Sequence, residues 1–120
     1  MTRNRASAKK AGTSWESEIV RALIDHGWPH AERRRLAGSR DRGDIAGVAG
    51  VVIEAKNTAR LDLAGAVDEA RAEALNDNTG VFGTSHGVAW IKRKGRSKAE
   101  EGYVVMTGST FMQLLKEADY

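Results

Sequence analysis

The stretch Gly43-Asp-Ile-Ala-Gly-Val-Ala-Gly-Val-Val-Ile-Glu-Ala-Lys56 contains two short apolar runs. We interpret these runs as two β-strands joined by a tight turn at Ala49-Gly50. Side chains alternate between the two faces of a strand, so Glu54 and Lys56 should point to the same side. A hairpin folded at this turn would bring Asp44 back beside Glu54.

Two carboxylates and one ammonium group are therefore expected to converge on an otherwise apolar sheet. Charges in such a place are costly unless they pair with each other or hold a metal ion. Two carboxylates, waters and a phosphate oxygen would suit Mg²⁺, which prefers oxygen ligands. The alternative is an ion pair that closes the hairpin edge, in which Lys56 simply neutralises Glu54.

An Asp followed ten residues later by Glu-x-Lys on an apolar strand resembles the PD-(D/E)xK nuclease superfamily, although Gly43 stands where that family usually has Pro. The resemblance implies a Mg²⁺ site, for which Mn²⁺ would substitute. Its implied ligands are Asp44, Glu54 and the carbonyl of Ala55. Lys56 would position the attacking water or stabilise the phosphorane-like transition state.

An amphipathic helix is predicted over residues 13–28. Its apolar residues recur at spacings of three and four, namely Trp15, Ile19, Ala22 and Leu23. Thr13 is expected to cap this helix, with Glu16 at the capping-box spacing, and Gly27 is expected to end it. On this reasoning alone Glu16 would be a capping residue.

The order of segments around this helix resembles the archaeal-type Holliday-junction resolvases and their bacteriophage-encoded relatives. The helix is followed by an Arg-bearing run at residues 30–36, then by Ala37-Gly38-Ser39, and then by Asp44. The resemblance is good over about residues 12–58, and beyond that it holds only in the order of elements.

Aligning the chain on Gly27-Trp28 puts the helix Glu of that family on Glu16 and not on Glu18. The resemblance thus implies that Glu16 is a third acidic group, which reaches a metal ion or its waters. Aligned on the following turn, the functional Arg of the family falls on Arg35 and its turn Ser falls on Ser39.

Composition is consistent with a small intracellular enzyme that acts on nucleic acid. A chain of 120 residues supports one domain with a modest core. The absence of Cys excludes a disulfide framework and a zinc–thiolate site. No apolar run is long enough to span a membrane, and no signal peptide is visible. We therefore expect a cytoplasmic protein without membrane association, in the host cytoplasm if it is phage-encoded.

Cationic residues are clustered, although the formal net charge is only +3. One cluster lies in residues 1–12, which we expect to be a basic tail that is disordered without DNA, ahead of a single nuclease domain at residues 13–120. The other two clusters are assigned to DNA binding together with Ser39, and they comprise Arg33, Arg34, Arg35, Arg40 and Arg42, and Lys92, Arg93, Lys94, Arg96 and Lys98. Clustered cations are typical of a phosphate-binding surface, although any one cluster could be a solvated loop.

A second helix is predicted over residues 61–76. Its expected apolar face consists of Leu63, Ala66, Val67, Ala70, Ala74 and Leu75. Its polar residues are expected to face water, and these are Asp62, Asp68, Glu69, Arg71 and Glu73.

Two more strands are predicted at residues 87–92 and 103–106, and then a last helix capped by Thr107 or Ser109. The order of elements predicts an α/β fold with a mixed central β-sheet flanked by helices. The resemblance implies that this is a restriction-endonuclease-like core.

Together with these features, the resemblance implies a metal-dependent endonuclease that hydrolyses phosphodiesters in branched DNA such as four-way junctions. Cutting two symmetrically placed strands would require a homodimer. One alternative is another PD-(D/E)xK endonuclease, restriction- or repair-like, that acts on duplex or single-stranded DNA. The other is a non-catalytic DNA-binding module of the same fold.

Overall fold

A mixed five-stranded sheet organises the part of the chain that this computed structural model describes, which is residues 5–34, 44–77 and 85–120. The strands lie in the spatial order β1-β2-β3-β4-β5, with β1 at Glu32–Arg33, β2 at Ile45–Ala46, β3 at Val51–Lys56, β4 at His86–Ile91 and β5 at Tyr103–Val105. Strands β3 and β4 are parallel, and the other neighbouring pairs are antiparallel. The predicted α/β class with a mixed sheet is confirmed.

The β2–β3 hairpin turns where the sequence predicted. The backbone N–H of Val51 donates to the carbonyl of Val48 at 3.2 Å, so Ala49 and Gly50 are the two central residues of the turn. Gly50 has a φ of 80°, which residues with a side chain rarely adopt. The glycine therefore permits the reversal that returns the chain to Asp44.

Three α-helices cover the sheet within the described residues, and they are α1 (Arg5–Asp25), α2 (Leu63–Ala74) and α3 (Gly108–Glu117). Helix α1 packs with Trp15 and Ile19 against the face that carries Ile53. Helix α2 packs with Ala66 and Val67 against the opposite face. Within these residues no helix is long and apolar enough to cross a membrane.

Helix α1 starts earlier than the sequence predicted. It begins at Arg5, so Thr13 lies inside it and the predicted cap at Thr13 is wrong. Residues 5–12, which we assigned to a disordered basic tail, are helical. Ala and Lys dominate this stretch and are strong helix formers, and the side-chain amide of Asn57 donates to the carbonyl of Ala11 at 3.3 Å.

Helix α2 buries a carboxylate that the sequence placed in water. Glu73 is only 3% exposed, whereas Leu75, predicted on the apolar face, is 88% exposed. The assignments of both residues, and that of the 45% exposed Leu63, are therefore corrected. Glu73 lies three residues after Ala70, so the helical repeat places both on the face that packs on the sheet.

The C-terminal helix α3 begins directly after Thr107, one of the two residues predicted to cap it. The hydroxyl oxygen of Thr107 accepts the N–H of Thr110 at 3.2 Å, which satisfies a free donor of the first turn of α3. Thr107 is thus the cap.

Candidate functional site

The hairpin brings the three charged residues of the sequence motif together. The N–H of Asp44 donates to the carbonyl of Ile53 at 3.0 Å, which continues the β2–β3 pairing and places Asp44 beside Glu54. The Asp44 carboxylate accepts the N–H of Ala55 at 2.9 Å. Lys56 Nζ lies 3.6 Å from Glu54 Oε2, on the same face of β3. The predicted convergence is confirmed, and the catalytic roles of these residues stay predictions.

Glu54 is a buried carboxylate, and few groups around it offset its negative charge. Its side chain is 3% exposed, and its Oε1 has no hydrogen-bond donor among the described residues. The pKa of Glu54 is raised to about 7, chiefly by burial and also by the negative charges of Asp44 and Glu69, against the lowering effects of Glu73 and Lys56. The carboxyl groups of Glu54 and Glu73 lie close together, and a hydrogen bond between them would form when one of the two keeps a proton.

Helix α2 adds two carboxylates to this site, which the sequence reasoning assigned to water. One carboxylate oxygen from each of Glu54, Glu69 and Glu73 lies within 4.8 Å of an oxygen from each of the others. We name these three residues the α2 acidic cluster. Lys56 Nζ also reaches Glu69 Oε2 at 2.9 Å. The three carboxylates lie close enough together to bind a metal ion.

A sequence signal for this cluster exists. Glu69 and Glu73 are spaced i,i+4 and so lie on neighbouring turns of one helix face. Glu73 is also in phase with the small residues Ala66 and Ala70, which allow α2 to approach the sheet closely. The helical repeat thus places Glu73 on the face of α2 that carries small residues and packs on the sheet. The assignment of Glu73 to water overlooked this spacing.

Glu16 reaches the site from α1. Its carboxylate pairs with Arg33, whose Nη2 lies 3.1 Å from Glu16 Oε2. Burial raises the pKa of Glu16, and the negative charge of Asp44 raises it further, while Arg33 lowers it. Glu16 therefore lies within the electrostatic influence of Asp44. It stands about three turns from the start of α1, so the predicted capping-box role is wrong.

One predicted DNA-binding cluster lies at the same end of the sheet as Lys56. In the parallel β3–β4 register Lys56 is opposite Ile91, and the N–H of Lys92 donates to the carbonyl of Lys56 at 3.0 Å. The cationic turn that follows β4 therefore leaves from the edge of the acidic site. Part of the positive charge of this turn already has a partner within the protein, since the guanidinium of Arg93 lies over the ring of Tyr103, 4.9 Å from the ring centroid.

The other predicted cluster is only partly described. Arg33 pairs with Glu16, and Arg34 Nη2 lies 3.9 Å from Oδ1 of the buried Asp77. Both arginines follow or end β1, which is hydrogen-bonded to β2 beside Asp44. The remaining members of the cluster lie outside the described residues, and they are Arg35, Ser39, Arg40 and Arg42.

Comparison with known proteins gives no match to this chain, whether among family models, curated proteins or solved structures.

Proposed function

We propose that the protein is a metal-dependent endonuclease with a restriction-endonuclease-like core, and that its substrate is branched DNA such as a four-way junction. The observation that carries this proposal is the hairpin geometry. Asp44 lies beside the buried Glu54, and Lys56 lies on the same strand face 3.6 Å away. Two carboxylates with an adjacent ammonium suit the hydrolysis of a phosphodiester.

The donor set fits a hard divalent cation. Glu54 Oε1 is buried without a hydrogen-bond donor among the described residues, and a cation would satisfy it. Mg²⁺ or Mn²⁺ would be held by Asp44, Glu54 and the carbonyl of Ala55, with Glu16 at its waters. When bound, the ion supplies a water of lowered pKa and stabilises charge on the phosphate oxygens.

Lys56 would act on the water and on the developing charge. Its ammonium now lies between Glu54, at 3.6 Å, and Glu69, at 2.9 Å. A phosphate at the site would compete with these carboxylates for Lys56, which can donate up to three hydrogen bonds. The ammonium would then orient the attacking water and offset the charge of the transition state.

The cationic segments would hold the DNA backbone. Arg33 approaches the site from β1, and the turn that begins at Lys92 leaves from the edge beside Lys56. Contacts to phosphates position a nucleic acid without reading its sequence, so selectivity would come from the shape of the DNA. A homodimer would present two such sites. A four-way junction has several DNA arms, so it could contact both sites at once.

A non-catalytic DNA-binding module is the second candidate, and one observation favours it. Lys56 already pairs with both Glu54 and Glu69, so the motif could serve to neutralise buried charge at the hairpin. An endonuclease of the same fold that cuts duplex or single-stranded DNA is the nearest catalytic alternative.

A cleavage and binding assay separates these candidates. Labelled four-way junction, linear duplex and single strand of matched sequence are incubated with Mg²⁺, Mn²⁺ or EDTA. We expect cleavage of the junction only with a divalent ion. We also expect junction binding at least about tenfold tighter than duplex binding, a gap of ~1.4 kcal/mol. Sedimentation of the complex counts the protomers.

Each alternative has its own result in this assay. Equal cleavage of junction and duplex would support the general endonuclease. Tight binding without cleavage in either divalent ion would support the non-catalytic module and contradict the proposal.

A further inference from the structure

We infer that the protein has a binding site for a small phosphate monoester in a cavity between α2 and α3. The cavity has a volume of about 280 Å³ and is formed by the last turns of α2, the start of β4 and the first turns of α3. We name it the α3 cavity, and its polar lining consists of Arg71, Ser85, His86, Ser109, Thr110 and Gln113. The inference does not rest on the proposed nuclease.

The α3 cavity lies far from the proposed nuclease site. His86 begins β4 and is opposite Val51 in the parallel register, whereas Ile91 at the end of β4 is opposite Lys56. Five residues of a strand span about 16 Å, at ~3.3 Å per residue. A ligand in the cavity would therefore bind independently of the nuclease motif.

The lining is rich in hydrogen-bond donors, and none of the described lining residues is acidic. Arg71, in the last turn of α2, is exposed and forms no ion pair with the described residues, so its guanidinium is available to a ligand. Ser109 and Gln113 add a hydroxyl and an amide from α3. Donors from two helices around one space suit an anion, and the planar fork of an arginine matches phosphate oxygens.

Thr110 gives an independent indication of a ligand. It is only 6% exposed, and its Oγ1 accepts a hydrogen bond from the hydroxyl of Thr107 at 3.1 Å. The hydroxyl hydrogen of Thr110 itself has no acceptor among the described residues, although the side chain lines the cavity. A buried donor without an acceptor is costly, and an anion in the cavity would accept from it.

Two acidic residues contact the lining from outside, and both have partners. Asp77 accepts the hydroxyl of Ser85 at 2.5 Å and lies 3.9 Å from Arg34. Glu117 binds Nε2 of His86 at 2.8 Å. These contacts offset part of the negative charge near the cavity and leave the guanidinium on α2 to the ligand.

Size and shape indicate the class of ligand. A phosphate presents its oxygens in a tetrahedron and can accept from α2 and α3 at once, whereas a carboxylate has two oxygens in one plane. The volume is about nine times the ~30 Å³ of one water, so a phosphate leaves room for a small organic group. Ala72, Ala74 and the 88% exposed Leu75 give the cavity an apolar side that this group would cover.

Titration of the isotope-labelled 120-residue chain, followed by NMR in the presence of EDTA, tests the inference. The probes are adenosine monophosphate, inorganic phosphate and adenosine. The variants are Arg71→Gln and Ser109→Ala, and both residues are exposed, so the fold should persist. Lys116→Gln is the matched control, since Lys116 is an exposed cation of α3 that does not line the cavity.

We expect adenosine monophosphate to bind with a Kd below about 1 mM, inorganic phosphate to bind more weakly, and adenosine not to bind. The amide signals of the lining residues should move, and those of the nuclease motif should not. Arg71→Gln should weaken the binding by at least about tenfold and Ser109→Ala by about threefold. Lys116→Gln should leave it unchanged.

Two results would overturn the inference. One is the absence of signal changes at the cavity with ~10 mM adenosine monophosphate. The other is equal weakening by Arg71→Gln and Lys116→Gln, which would show attraction by charge alone. A single DNA strand with a terminal phosphate distinguishes the sources of the ligand. Tighter binding of this strand than of adenosine monophosphate would identify a strand end, and weaker binding would identify a free metabolite.

The outcome is separable from that of the nuclease proposal. Binding of adenosine monophosphate at the cavity, without cleavage of any DNA, would support the site and contradict the nuclease. Cleavage of the junction without binding at the cavity would overturn the site and leave the nuclease standing.

Discussion

Two groups of carboxylates in this protein have opposite electrostatics. The first surrounds Arg21 of α1, which pairs with Glu18 at 2.7 Å, with Asp25 at 2.7 Å and, outside the helix, with Glu100 at 2.6 Å. We name these four residues the Arg21 network. The hydrogen bonds of Arg21 lower the pKa of Glu18. The pKa of Glu100 falls to about 2, through a backbone hydrogen bond and then through Arg21 and His26.

The second group is the α2 acidic cluster, where Lys56 pairs with Glu54 and Glu69 and burial raises the pKa of Glu54 to about 7. The difference teaches how to tell a structural carboxylate from a functional one. Both groups have three carboxylates around one cation, so the difference between them lies in burial: the carboxylates around Arg21 are partly or largely exposed, and water screens their charges. Glu54 and Glu73 are each only 3% exposed, and buried carboxylates with a raised pKa are typical of sites that bind ions or move protons.

The largest expected effect is on cleavage. Glu54→Gln should reduce the rate of junction cleavage by at least about 100-fold, because it removes a ligand charge while it keeps the shape of the side chain. DNA binding should persist, since phosphate contacts supply most of the affinity. The measurement is single-turnover cleavage together with gel-shift titration.

Glu18→Gln is the matched control, since it removes a carboxylate of the Arg21 network and leaves the site intact. Near wild-type cleavage by a correctly folded Glu54→Gln variant would show that the α2 acidic cluster contributes no more to cleavage than the Arg21 network does.

The pH dependence of stability should differ between the groups in sign. The raised pKa of Glu54 means that its stabilising contribution is complete below pH 4.5 and is lost as the pH rises through about 7. The loss would reach up to ~3 kcal/mol. In EDTA at pH 8, Glu54→Gln should therefore be more stable than the wild type by urea unfolding.

Glu18 should behave in the opposite way. Its lowered pKa means that its contribution is present above pH 4.5 and is lost as the pH falls through the lowered value. Glu18→Gln should thus be less stable than the wild type at pH 7, and it should lose less stability than the wild type on acidification.

A wild type that is as stable as Glu54→Gln at pH 8 would show that the buried charge of Glu54 does not destabilise the fold.

Sequence reasoning found the part of the site that is local in the chain. The hairpin follows from two apolar runs and from a glycine at the one turn position that needs a positive φ, so Asp44, Glu54 and Lys56 could be placed from a single segment. Glu73 could not be placed in this way, because the buried face of α2 depends on which part of the sheet the helix covers. Of the six positions predicted for that face, four are buried and two leucines are exposed, and the carboxylate of Glu73, which lies among the buried positions, was assigned to water because it is charged.

The start of α1 was missed for a different reason. Thr13 and Glu16 match a capping box, but a capping signal has effect only where the preceding residues do not continue the helix. Here those residues are rich in Ala and Lys, and they extend the helix back to Arg5. The correction bears on function, because it removes the capping explanation for Glu16.

Substitution of Glu16 tests whether α1 contributes a residue to the proposed nuclease site as well as residues to the Arg21 network. Glu16→Gln should reduce cleavage by about 10–100-fold, the range expected for a group that orients the waters of a metal ion. Glu18→Gln, two residues away on the same helix, should leave cleavage nearly unchanged. The measurement is kcat on the junction at saturating Mg²⁺, with melting temperatures for both variants. Equal kcat values would assign Glu16 to the simple ion pair with Arg33.

The smallest expected effect concerns the cationic turn at the edge of the site. Lys94 is exposed in the turn that follows Lys92, whose N–H binds the carbonyl of Lys56. Lys116 is also exposed, but it adjoins Glu117, which pairs with His86 at the opposite end of β4 at 2.8 Å. Only the first lysine should therefore meet a phosphate of DNA bound at the acidic site.

Lys94→Gln should lower the slope of log binding constant against log salt by at most about 0.9, the value for one phosphate contact on duplex DNA. Lys116→Gln should leave the slope unchanged. Fluorescence anisotropy at several salt concentrations, with both variants in the Glu54→Gln background to prevent cleavage, provides the slopes. If Lys116→Gln changed the slope and Lys94→Gln did not, DNA would lie at the α3 end of β4. The acidic residues beside Lys56 would then be too far from the backbone to cut it.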